Sequence, residues 1–458
     1  MRLRPSPALV LCLGPVLTSG CSPDELPSSD PALLLHDSNP LAFYVEWVTT
    51  TDLATILEVD CGAETFEHRE STPRTEHRAF VMGLWPGVNC DVYIRGEGED
   101  GEEFRTEAKR FTAGELPDHL PLIEILESDG APRWTLMTMA REGATSPGSA
   151  VIVDEQGRYR WLYERWVSSP APGFDVRLVT VPDEDWGAID STGTGVMVGG
   201  FGSDYVPGIA SWDGQLVWSA SIDMHHEIRE AGPDRLMYLG YDTCDGVETN
   251  ALFDLDLATG ATTTTWRSCD NLQAPSVPFD DWDHLNAFTF AGDDPSVADI
   301  VVTSRNLDQV VWLDRATGQV RWTLGQDGDL TLSAEDAFIQ PHGVDVTDEG
   351  TILLLDNGAV DEREISRALE IRPDEDAGTA EVVWSWTADT FSPILGAATR
   401  LDDGNTLVVL GNADADPSEL VEVTPGGAIA WHAQVHGEWA TNRAQRIDPI
   451  PFSVMMDP

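Results

Sequence analysis

Lysine is almost missing from this 458-residue chain: Lys109 stands alone against 26 arginines and 79 acidic residues, for a formal net charge of -52. Such acidity argues against nucleic acid or an anionic membrane surface as a partner. The charge is spread through many turns, as expected of a solvated surface. A salt-rich habitat would also account for it, since screening lengths shorten to about 3 Å near molar salt. Acidic loops could bind calcium, but no complete loop motif is present. Long apolar runs are lacking too. The longest near the start, Ala8 to Leu17, is far shorter than the roughly 20 residues that span a bilayer. No CxxC or Cys/His spacing points to zinc, so no metal and no cofactor is expected. No segment holds a sustained helical period.

What is present begins with Arg2 and Arg4 ahead of that short apolar run, the proportions of a secretory leader. Leu17-Thr18-Ser19-Gly20 then leads into Cys21 and resembles a lipobox. Residues 1–20 are therefore expected to be a lipoprotein signal peptide and Cys21 the lipidated N-terminus, with simple cleavage or an uncleaved anchor as alternatives. The expected location is exported, periplasmic or cell-surface, on the outer membrane. Residues 21–39, rich in Pro, Ser and Asp, read as a flexible tether.

Residues 40–117 alternate like short strands between Gly- and Pro-containing turns, the rhythm of a small β-sandwich of fibronectin-III-like size. From 118 to 458 a repeat takes over. A turn followed by a strand ending in tryptophan recurs at Trp161, Trp218, Trp266, Trp322, Trp384 and Trp431, at intervals of 47 to 62 residues. Apolar strands lie between, among them Val196 to Gly199 and Ile352 to Asp356. A period near fifty with one tryptophan per unit predicts an all-β, six-bladed β-propeller, each blade a four-stranded sheet. Four cysteines remain after Cys12 and Cys21. An even number in an oxidising compartment suggests two disulfides. Of three pairings, Cys61–Cys90 with Cys244–Cys269 keeps each bond within one domain and is preferred.

His226, His284 and His342 follow one another at intervals of 58 and 58 residues. Equivalent positions on innermost propeller strands point to the central channel, so these three are expected to converge. Asn286, two residues after His284, would share its side of the strand. Arg305 ends the second strand of the fourth blade.

The segment Asp281-Trp282-Asp283-His284-Leu285-Asn286 resembles the Asp-Trp-x-His-x-Asn segment of bacterial arylsulfate sulfotransferases. Ser304-Arg305, Gln340-Pro341-His342, Leu355-Asp356-Asn357-Gly358, the paired His225-His226 and the closing Arg443-Ala444-Gln445-Arg446 are similar too. The resemblance covers about residues 120 to 450. It implies a sulfuryl transfer from an aryl sulfate to a phenolic acceptor without a nucleotide donor. In that family a histidine in the place of His342 is the nucleophile and carries the group as sulfohistidine. Residues matching His226, His284, Asn286 and Arg305 surround the sulfuryl oxygens, and His225 and Asn357 fall in matching binding segments. A second reading is a non-catalytic propeller lipoprotein that binds or scaffolds. A quinone- or metal-dependent dehydrogenase is weaker, because no carboxylate–asparagine cluster stands out.

Overall fold

The computed structural model describes residues 30–98, 101, 103–141, 148–165, 176–180, 194–198, 207–412, 417–449 and 453–455. The leader 1–20, Cys21 and most of the expected tether lie outside these residues, as does Gly199. The fold is all-β, with one short helix, Ser268–Asn271, among the described residues.

Two sheets face each other at the N-terminal end. One comprises Ala32–Leu35, Phe43–Leu53 and Arg74–Val81; the other comprises Thr65–Arg69, Ile56–Asp60 and Asn89–Glu97, edged by Glu103–Arg105 and Lys109–Thr112. Alternation along Phe43–Leu53 sends Phe43, Val45 and Trp47 inward against Leu57, Val92 and Ile94. The Cys61–Cys90 disulfide lies in this core. Two details differ from the domain limits read from sequence. The tether ends early, because Ala32–Leu35 pairs with Phe43–Leu53 and Leu33 packs on the core. At the other end, Ser453–Met455 leaves the C-terminal unit and pairs with Arg74–Val81.

After residue 122 the described strands form six further sheets, each built on four antiparallel strands. Each apolar run expected from sequence becomes the second strand of its sheet, as Ile352–Asp356, where all five residues are buried. A separate apolar cluster fills the space between each sheet and the next. Ile209 of the second sheet packs on Leu236 of the third. Met237 packs on Val302, Val301 on Leu354, and Leu353 on Val408. Met139 of the first sheet packs on Leu420 of the sixth, and Ile152 of the first on Val196 of the second.

The recurring tryptophans show why the sequence repeats. Trp161 donates its indole N–H to Trp212 O in the next sheet's turn at 2.8 Å, and Trp218 donates to Leu257 O at 3.3 Å. Trp384 donates to Pro425 O, and Trp431 of the sixth sheet donates to Glu155 O in the first, each at 3.1 Å. The turns themselves need glycine. Gly157 has φ +76°, and a Cβ there would stand 2.7 Å from Ile123 O.

The chain ends interlock the first and last sheets. Ile123–Ser128 adds to the outer edge of Ile429–Val435, while Ala444–Ile447 supplies the innermost strand beside Trp134–Met139. Glu422 of the last sheet joins Arg133 at 2.9 Å and Arg446 at 2.9 Å, tying both ends with one buried carboxylate. The second disulfide, Cys244–Cys269, fastens the third sheet to the short helix.

Candidate active site

The innermost strands are where backbone regularity breaks. Pairing shifts register between Met224 and Ile228, between Leu285 and Ala287, and between His342 and Val344. His226 has φ 62°, His284 φ 35° and Gln340 φ 52°. Left-handed non-glycine residues of this kind cost of order 1–3 kcal/mol each and cluster at functional sites. Bulges of this kind re-aim side chains next to such sites.

Those irregularities bring His226, His284 and His342 together. The rings of His226 and His342 lie 5.3 Å apart, and His226 Nε2 is 3.3 Å from His284 Nε2. His342 is 1% exposed. Its Nδ1 stands 2.7 Å from Gly396 O, and its Nε2 meets no hydrogen-bond partner among the described residues. A carbonyl oxygen only accepts, so Nδ1 carries the proton and the lone pair sits on Nε2. Arg443 Nη1 approaches the same Nδ1 at 3.4 Å, which would require the opposite tautomer. The shorter contact decides, because that guanidinium already donates to Gly396 O at 2.8 Å. Burial, then the Arg443 charge, pushes the His342 pKa well below the ordinary imidazole value. His226 is lowered in the same way by burial and its histidine neighbours. Burial takes His225 to about 3. All three rings are neutral near pH 7.

His284 sits at the rim with its side chain 21% exposed, and its Nδ1 is bound by the Asp281 carboxylate. Its Nε2 is therefore the nitrogen that faces His226. Arg305 follows the strand Asp299–Ser304, and its backbone N–H donates to His284 O at 3.0 Å. Its guanidinium donates to Gln340 Oε1 at 2.6 Å and to Asn306 Oδ1 at 3.1 Å.

Two residues expected to bind substrate make hydrogen bonds within the protein. Asn286 is fully buried; it donates to Pro341 O at 2.9 Å and accepts from Thr303 Oγ1 at 2.6 Å. The register shift after Leu285 interrupts the alternation on which the expected shared side with His284 rested. Pro341 begins its strand, where a missing N–H is tolerated, and its carbonyl is what Asn286 holds. Asn357 donates to Ser392 O at 2.8 Å and Leu395 O at 3.0 Å, fixing the loop before Gly396. His225 is buried against Tyr241 and His284, with ring centroids 4.7 and 4.9 Å away.

Sequence reasoning gave no role to Arg443 or Glu227. Arg443 is 6% exposed and also reaches Asn286 O and Glu227 Oε2, both at 3.4 Å. Glu227 is fully buried among Arg177, Arg229 and Arg443, and accepts the Phe288 N–H at 2.8 Å. Burial would raise its pKa, but the three arginines outweigh that and hold it at about 2. The motif Arg443–Arg446 was the available signal for Arg443; its reach was not readable without knowing which sheet receives Ala444–Ile447.

Fold and site together define a class: an all-β protein of packed four-stranded sheets whose innermost strands gather neutral histidines and arginines into one polar centre. Residues 126–445 match the family model Arylsulfotransferase (ASST), and the chain belongs to that family. Membership supports arylsulfotransferase activity, with an aryl sulfate as donor and a phenol as acceptor. No curated protein sequence matches the chain. Solved structures with distant similarity include hydrazine synthase of Kuenenia stuttgartiensis, at 10% identity over 55% of this chain and 67% of that one, with TM-score 0.33. An auxiliary nutrient binding protein from Bacteroides ovatus has 9% identity over 92% and 99%, with TM-score 0.37. AztD from Citrobacter koseri has 10% identity over 89% and 99%, with TM-score 0.29. At that level of similarity none bears on function.

Proposed function

We propose that this chain is an exported lipoprotein that moves a sulfuryl group from an aryl sulfate to a phenol through a sulfohistidine on His342, with no nucleotide donor. The observation that carries the reading is the buried, neutral imidazole of His342, whose Nδ1 proton is committed to Gly396 O and whose lone pair is left on Nε2. Six sheets joined by six apolar clusters, with Trp431 tied back to Glu155, support a closed six-bladed propeller carrying this site on its axis. The two facing N-terminal sheets support a β-sandwich before it.

In the first half-reaction the Nε2 lone pair of His342 attacks sulfur and the S–O(aryl) bond breaks. The departing phenolate takes a proton from His284 Nε2, while Asp281 holds the Nδ1 side of that ring. In the second, the incoming phenol returns a proton to His284 Nε2, its oxygen attacks sulfur, and the N–S bond breaks. In this reading Arg305 neutralises sulfuryl oxygens, and its planar fork can give them two hydrogen bonds. Positioning and charge stabilisation supply most of the catalysis in the related phosphoryl transfers. Within so acidic a chain, such a local group of His and Arg is what an anionic donor requires.

Intact mass spectrometry tests the reading. Protein mixed with p-nitrophenyl sulfate and no acceptor should gain one sulfuryl group and lose it when phenol is added. His342→Ala should show neither adduct nor turnover while keeping its melting temperature. An adduct that persists in His342→Ala would overturn the assignment.

A further inference from the structure

The proposed transfer leaves His225 without a role, yet its ring is set edge-on to His284 at 89° and lies 4.3 Å from the ring of His226. One ring nitrogen from each of His225, His226 and His284 falls within 4.8 Å of the other two. Nitrogens bound to one tetrahedral ion at about 2.0–2.1 Å stand roughly 3.3 Å apart. His226 Nε2 and His284 Nε2 are 3.3 Å apart. A hydrogen bond between those two rings would explain that pair alone, but not the third ring. Asp281 on His284 Nδ1 completes a carboxylate–histidine arrangement of the kind that fixes the tautomer of a metal ligand and raises its basicity.

The donor set also selects the ion. Three imidazoles with no oxygen ligand suit zinc, cobalt, nickel or copper, and not calcium or magnesium. His225 and His226 are buried while His284 stands partly exposed, so the group has one open side for entry and for a fourth ligand. We infer that His225, His226 and His284 bind one divalent transition-metal ion of the zinc type, with Asp281 as the outer carboxylate. The motif is not legible from spacing, since two ligands are adjacent and the third is 58 residues on. Metal on His284 Nε2 would displace the proton used in sulfuryl transfer. That consequence rests on the proposed function; the binding does not.

The full chain, stripped with a chelator, is titrated with cobalt(II) and then zinc(II), reading the visible absorption of tetrahedral cobalt and its loss on zinc displacement. One equivalent is expected. His225→Ala and His284→Ala should lose it, with folding checked by thermal melts. Because His284 lies at the rim, its variant keeps the test alive if His225→Ala fails to fold. Asp281→Asn should weaken binding about 10- to 100-fold. His432→Ala, whose imidazole faces Glu419 at 3.1 Å, should keep it. No uptake by the wild type, or stoichiometric uptake that survives His284→Ala, overturns the inference. The readout needs no turnover, so its failure leaves the sulfuryl reading untouched, and absence of turnover leaves the metal site untouched.

Discussion

His342 and Gly396 are joined by a 2.7 Å contact from the imidazole Nδ1 to the carbonyl oxygen, across two neighbouring sheets. Gly396 has φ +88°, and a Cβ there would meet Val409 O at 2.2 Å, so the carbonyl is presented by a backbone only glycine can adopt. Arg443 donates to the same oxygen at 2.8 Å. One carbonyl thereby sets both the tautomer of the proposed nucleophile and the place of a buried cation beside it.

Arg305→Ala should lower kcat for aryl sulfate turnover about 10²–10³-fold, the usual loss for one preorganised donor. Arg305→Lys should recover little, because a point charge does not replace a planar fork. The His342 adduct should still form in both variants, more slowly, as stopped-flow phenol release would record.

Asp281→Asn and His284→Ala should lose more activity as the leaving phenol becomes more basic. General acid–base assistance contributes about 10²–10⁴-fold, and a nitrophenolate needs little of it. Rates for a series of aryl sulfates, plotted against phenol pKa, should steepen in both variants. Parallel lines would remove the proton role from His284.

Glu422, with its side chain 3% exposed, binds Arg133 and Arg446 where the chain ends interlock. Burial opposes its ionisation, but Arg133 and Arg446 outweigh that and hold its pKa below 4.5. Its stabilisation is therefore complete above pH 4.5 and lost as acidification protonates the folded carboxylate. Glu422→Gln should destabilise the protein by about 3–5 kcal/mol at pH 7, since it leaves the buried Arg446 without its carboxylate, while Arg133 keeps Asp129. Urea melts at pH 7 and pH 3 should show that difference shrinking in acid.

Cys21→Ala should release the protein from membranes without lowering its melting temperature, since it removes only the proposed site of the lipid. Cell fractionation with fatty-acid labelling checks this. Equal labelling of both forms would refute lipidation at Cys21.

Much of this protein was legible along the chain. The tryptophan period reported the unit, because every unit is built from the same local parts. Each has a turn and an outer strand, and four of the six tryptophans add an indole bond to the next turn. The 58-residue spacing of three histidines reported their convergence, and keeping each bond within one domain sufficed to pair the cysteines as they are found. These are signals of local pattern and register. Tertiary structure decided the rest. Asn286 holds Pro341 and Thr303, where a bulge after Leu285 interrupts the period of two. Arg443 reached His342 across 101 residues, and Glu227 across 216, because Ala444–Ile447 joins the first sheet and not the last. Such pairing follows from how distant strands cover one another's backbone, and no local pattern of residue types encodes it.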